Sequence, residues 1–251
     1  MLTSHTQALS GASTHVRLVF FWAAVGSLTS ALAVPYEVDF FSAKIPASHI
    51  PLPLLFFLQA AQVLVLLIVA VWVGLRAGSK VGLGSPFARS LVYGLTCQPW
   101  STKRLGISAA LGAAIGVAMH LELSGTPKTV PWKGLLLAFY AGITEELLFR
   151  LFAMSVLVWI GWRVLERTRP MPSSAIYWTA NIVAALLFGA AHLGGAASVW
   201  SLTPALVARV ILVNAGGGVV FGTIFWWWGL EYAMVSHFLT DVVLHALIPL
   251  I

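Results

Sequence analysis

The chain is 251 residues long, 59% hydrophobic and 9% charged, against roughly 25% charged residues in an ordinary soluble domain. This excludes a soluble globular protein and leaves a polytopic membrane protein, with room for one membrane domain and no second soluble one. The net charge of +6 fits basic membrane-flanking loops rather than nucleic-acid binding, and a single cysteine, Cys97, excludes an internal disulfide and a cysteine-built metal cluster.

The first fifteen residues are polar and no clear cleavage site follows the first apolar run, so no secretory signal peptide is expected. A helical span needs about 20 mostly apolar residues. Seven stretches qualify: Val16–Val34, Pro51–Leu75, Leu105–Leu123, Pro131–Trp162, Ile176–Leu193, Leu202–Trp228 and Glu231–Ile251. The expected fold is therefore an all-α polytopic membrane helix bundle. Val81–Leu95, with Gly82, Gly84 and Pro86, is an interfacial or extra short helix that would raise the number to eight. Residues 1–130 read as N-terminal transmembrane helices and 131–251 as the part that carries chemistry. Arg76, Lys80, Arg89, Lys103 and Arg104 flank or fill the 77–104 connection, and Arg163, Arg167 and Arg169 the 161–175 connection. The positive-inside rule places both in the cytoplasm, with the N-terminus. The C-terminus then lies outside. Gly218 and Gly222 form a GxxxG spacing in the sixth span, which permits close helix approach and reads as packing.

Polar residues at membrane depth are the informative ones. Glu145-Glu146-Leu147-Leu148-Phe149-Arg150 lies inside the fourth span, where an ionised carboxylate costs about 2.5 kcal/mol or more. On an α-helix Glu146 and Arg150, four apart, share a face and neutralise each other. Glu145 points about 100° away around the helix and is left without a local partner, as a general base of tuned pKa would be. His192 ends the fifth span on the same face as Phe188. His237 and Asp241, again four apart, project together from the seventh, with Asp241 placed to orient the imidazole, to donate to it when protonated, or to accept from it; His245 is a weaker candidate. Each group alone has a structural reading, as an ion pair or a helix-end histidine. Together, in three of the last four spans, they point to a polar intramembrane pocket able to activate water. Two mechanisms fit. In one, Glu145 deprotonates a water held by His192 and His237. In the other, Glu145, His192 and His237 ligate zinc and Glu146 is the base, although no H-E-x-x-H spacing supports it.

Glu145-Glu146-x-x-x-Arg150, Phe188-x-x-x-His192 and His237-x-x-x-Asp241, in this order on successive apolar segments, resemble the CPBP family of CAAX prenyl endopeptidases and their bacterial relatives, also called Abi proteins. The resemblance covers about Trp132 to Ile251. It implies a glutamate-dependent intramembrane endopeptidase without a cofactor, zinc being the unfavoured variant. Glu145 would activate water, Glu146 and Arg150 would support it, and His192 and His237 would position the water or stabilise the oxyanion. Asp241 stands where the CAAX enzymes carry Asn, which donates a hydrogen bond that an ionised Asp cannot. The implied partners are the lipid bilayer and a peptide or protein substrate with a membrane-associated segment, cut to mature a peptide or to remove a C-terminal tail, with no nucleic acid. The compact chain suits a bacterial inner or plasma membrane. Two other classes remain: a non-enzymatic immunity or assembly factor, which would need the motif only for folding, and a proton-coupled carrier. The carrier is disfavoured because the polar residues cluster in one half. One feature resists simple spans. His192 lies late, and His237 early, in segments that both run outward, so irregular backbone is expected, above all between Gly194 and Pro204.

Overall fold

A computed structural model describes residues 15–41, 50–95, 100–122 and 130–250; Cys97 falls outside them. Every regular element among these is helical. Seven helical stretches are long and apolar enough to cross a membrane, and the chain is a multi-pass integral membrane protein with an all-α bundle. In chain order the helices are α1 (Val16–Phe41), α2 (Leu52–Lys80), α3 (Pro86–Tyr93), α4 (Thr102–Glu122), α5 (Pro131–Tyr140), α6 (Ser155–Leu165), α7 (Ser174–Ala191), α8 (Leu193–Val199), α9 (Pro204–Trp228) and α10 (Leu230–Asp241). Local chemistry sets their starts. Pro86, Pro131 and Pro204 occupy first-turn positions, where the missing N–H costs nothing. The Thr203 hydroxyl accepts from the Leu206 N–H at 3.2 Å, satisfying one of the orphan donors of α9.

The span boundaries shift where polar residues continue a helix. The first span does not stop at Val34: α1 runs on through Pro35 to Phe41 and carries Tyr36, Glu37 and Asp39 with it. Val81–Leu95 holds the short helix α3, which lies against the end of the bundle. The Ser85 hydroxyl donates to Glu231 Oε1 at 2.7 Å, and the Phe87 and Ala88 N–H groups donate to the same oxygen at 3.0 and 2.9 Å. A carboxylate from α10 thus caps α3. The Leu230 N–H donates to Gly84 O, so α10 begins beneath α3, and Leu230 is fully buried.

The main departure from regular geometry lies in the helix that carries the glutamates. Between α5 and α6, residues Ala141–Glu145 and Leu147–Met154 are π-helical, so the whole Pro131–Leu165 stretch crosses as one helix with a widened centre. A third π segment, Val242–Leu247, follows α10. Irregularity was expected between Gly194 and Pro204. There the chain forms the short helix α8 and then leaves helical geometry from Trp200 to Thr203. All three π segments lie instead in the helices that carry the polar motifs.

One buried cluster runs through both halves of the chain, with Leu67 and Val71 of α2 packed alongside Leu147, Leu151 and Met154 of the π segment. Small residues let the helices approach. A Cβ on Gly112 of α4 would collide with the Ser236 carbonyl of α10, and one on Gly222 of α9 with the Asn181 side chain of α7. The GxxxG pair of α9 is therefore a packing surface, while large apolar side chains such as Phe57, Val65 and Val69 of α2 face outward.

Candidate active site

Glu146 lies between the first two π segments and Arg150 in the second of them, 0% and 2% exposed, with Arg150 Nη1 3.1 Å from Glu146 Oε1. Arg150 Nη2 also donates to the Gly218 carbonyl at 3.1 Å. Its guanidinium carbon lies 4.6 Å from the Phe188 ring centre and 5.3 Å from that of Phe221, a desolvated cation–π setting. The pairing expected from spacing is present, but Glu146 does more. Its Oε1 also meets His237 Nδ1 at 2.8 Å. The group that orients the His237 imidazole is therefore Glu146, not Asp241 as the i,i+4 spacing suggests.

Glu145 does not point away from its neighbour. Its Oε2 lies 3.7 Å from His237 Nε2, so the two adjacent glutamates address the two nitrogens of one imidazole. The expected 100° separation assumed α-helical geometry. The i→i+5 bonding of the π segments widens the turn here, and Glu145 and Glu146 reach His237 at the two nitrogens of its ring. Glu145 Oε2 has no hydrogen-bond partner among the described residues.

The His237 ring stacks on Phe221, with centres 4.5 Å apart and planes 18° from parallel, and meets the edge of Phe188 at 5.4 Å. His192 closes α7, where the chain turns into α8. Its ring packs on Phe188 at 4.7 Å, and its Nδ1 lies 2.9 Å from the Phe188 carbonyl. A carbonyl only accepts, so Nδ1 carries the proton and Nε2 is left free for another partner. The depth conflict between His192 and His237 is resolved by the recessed start of α10 beneath α3, and by Phe188, which touches both rings.

Glu145, His192, His237 and Asp241 line one cavity of about 260 Å³, which brings all four sequence-predicted residues to a single space; Glu146 and Arg150 stand behind it. His245 also lines it, with Nδ1 3.1 Å from the Tyr36 hydroxyl. Sequence reasoning missed Tyr36, Glu37 and Phe40 of α1 and Phe221 of α9, all on the wall. Tyr36 and Glu37 read as loop residues beyond an apolar run, and nothing local marks Phe221. Asn214, also on the wall, did carry a signal as an amide at membrane depth. Among the described residues no group of three or more His, Cys, Asp and Glu side chains is arranged to hold a metal ion.

Residues 127–243 match the family described as Type II CAAX prenyl endopeptidase Rce1-like. No curated protein and no solved structure matches the chain.

Proposed function

From the match of residues 127–243 to the Type II CAAX prenyl endopeptidase Rce1-like family, we propose that the chain hydrolyses a peptide bond in or beside the membrane by a glutamate-activated water. The observation that carries this reading is the Glu145 carboxylate, 3.7 Å from His237 Nε2 and without a hydrogen-bond partner on Oε2, at the wall of the cavity. That separation is too long for a good direct hydrogen bond and short enough for one water to touch both groups. His192 Nε2 accepts a hydrogen bond from one O–H of the water, and Glu145 takes the other proton as general base. The hydroxide adds to the peptide carbonyl carbon, and the carbonyl oxygen becomes an oxyanion. The proton held by Glu145 then passes to the leaving amine as the C–N bond breaks.

Contacts assign the remaining roles. His237 Nδ1 meets Glu146 Oε1 at 2.8 Å, which fixes the ring, and its Nε2 faces the cavity beside Glu145, placed to donate a hydrogen bond to the oxyanion. Asp241 helps shape the pocket for the same intermediate. The peptide or protein substrate has a membrane-associated segment, such as a precursor peptide or a C-terminal tail, and the bilayer is the expected bacterial inner or plasma membrane with the N-terminus cytoplasmic.

The test is cleavage of a candidate substrate in detergent or liposomes by the wild-type protein, Glu145→Ala and His192→Ala, each with and without chelator. The wild type should cleave in both conditions and neither variant should cleave. Equal cleavage by all three would refute the assignment, and loss with chelator followed by rescue with zinc would overturn the metal-free mechanism.

A further inference from the structure

The two ends of the bundle differ in charge, and the cavity belongs to one of them. At the end formed by the start of α1, the close of α2, α3, the start of α4 and the α6–α7 connection lie Lys80, Arg89, Arg104, Arg163, Arg167 and Arg169. Contacts tie this end together: Trp22 Nε1 donates to Ser85 Oγ at 2.9 Å, and the Tyr177 hydroxyl donates to Val81 O. The acids of this end are occupied, Glu231 beneath α3 and Glu166 by the Ser173 N–H and hydroxyl. At the opposite end, formed by the close of α1, α4 and α7 and the start of α5 and α9, Lys133 pairs with Asp39 and Arg209 lies 3.6 Å from Glu122. Loops rich in Lys and Arg stay in the cytoplasm, so the first end is cytoplasmic and the second faces out.

The cavity runs from the level of Glu145 and His237 toward the second end. Its outer wall is Tyr36, Glu37 and Phe40 of α1, Met119 near the end of α4, and Gly195 and Trp200 beyond His192; no residue of the basic end lines it. A second, independent observation concerns what the space holds. Three carboxylates line it, those of Glu37, Glu145 and Asp241, and no Lys or Arg does. The nearest guanidinium, Arg150, is committed to Glu146 and the Gly218 carbonyl. A substrate that ends in a free carboxylate beside the scissile bond would have no fixed cation to receive it.

On the premise of the hydrolase reading above, we propose that the active cavity opens on the non-cytoplasmic face and takes a polypeptide presented from that side. Its substrates are exported or membrane-anchored chains cut at an internal bond, not the free carboxyl terminus of a cytoplasmic chain.

Two measurements on the full-length chain in cells test this. In a Cys97→Ser background, a cysteine placed at Ser201, beside the cavity mouth, should react with a membrane-impermeant maleimide in intact cells or spheroplasts. One placed at Ser79, at the basic end, should react only after permeabilisation. The reverse pattern overturns the proposal. The second measurement follows two membrane-anchored reporters with the same cleavable sequence, one displayed outside and one in the cytoplasm, with Glu145→Gln as the inactive control. Cleavage of the external reporter alone supports the proposal, and cleavage of the cytoplasmic one overturns it. Failure to cut either reporter would count against the hydrolase reading, while the maleimide pattern would still decide which face the cavity opens to.

Discussion

The two adjacent glutamates carry different loads. Glu146 neutralises a fully buried guanidinium and holds His237, and removing one partner of a buried pair costs about 3–5 kcal/mol. Glu145 faces the cavity with one oxygen unpartnered. Glu145→Gln should therefore lower cleavage by about 10²–10⁴-fold, the usual worth of a general base, with the thermal midpoint little changed. Glu146→Gln should lower both. Parallel measurement of cleavage and thermal unfolding in detergent separates them, and equal destabilisation by the two changes would mean that Glu145 is also structural. Asp241→Asn restores the amide that the CAAX enzymes carry, so it should retain cleavage where Asp241→Leu loses it. The identity of these residues was legible in the sequence because ionisable groups at membrane depth are costly and rare. Their relations were legible only in part. The Glu146–Arg150 pair follows from spacing, whereas the orienting bond from Glu146 to His237 spans 91 positions and leaves no local pattern.

At the scale of helices, the apolar runs foretold the seven crossings but not their internal geometry. Hydrophobicity reports that a stretch crosses a membrane; it does not report whether its bonds run i→i+4 or i→i+5. The π segments, one of which ends at Glu145, were for that reason invisible. Nor does an apolar pattern mark a helix that continues past its hydrophobic part, as α1 does to Phe41. The position of His237 depends on how closely α10 approaches α4. Gly112→Leu would drive a side chain into the Ser236 carbonyl, whereas Gly106 on the same helix has nothing within 4 Å of its Cβ direction. Gly112→Leu should cost about 1–3 kcal/mol, as overpacking typically does, and reduce cleavage with it. Gly106→Leu should leave both intact, a contrast that one thermal melt and one activity assay per variant will read. The α6–α7 connection carries its own pH dependence. The Ser173 hydroxyl first, and then the Ser173 N–H, hold Glu166 below its ordinary value of 4.5. A depressed folded value means that this contribution is complete above that pH and lost as pH falls through the folded value. The acid-side fall in thermal midpoint should therefore be shallower for Glu166→Gln than for wild type.

Across the whole molecule, the family match begins at residue 127, yet the site does not close within it. Tyr36, Glu37 and Phe40 supply one wall of the cavity. Thr144, next to Glu145, donates to the Gly26 carbonyl of α1 at 2.9 Å and lies 3.3 Å from the Thr29 hydroxyl. In water, removing α1–α4 would expose the Leu147 and Leu151 face at a large hydrophobic cost. In a bilayer that cost is absent, because lipid tails are as apolar as leucine, and what is lost is packing and interhelical hydrogen bonding. A chain of residues 127–251 should therefore still insert into the membrane but fail to cleave, since its Thr144 hydroxyl and its cavity wall have lost their partners. Co-expression of residues 1–126 as a separate chain should restore part of the activity, as helices that pack by shape reassemble within the membrane. Membrane fractionation and a cleavage assay on the fragment, the co-expressed pair and the intact chain measure both effects. Full activity from the fragment alone would show that the N-terminal helices contribute nothing to the site, and would contradict the wall that α1 forms.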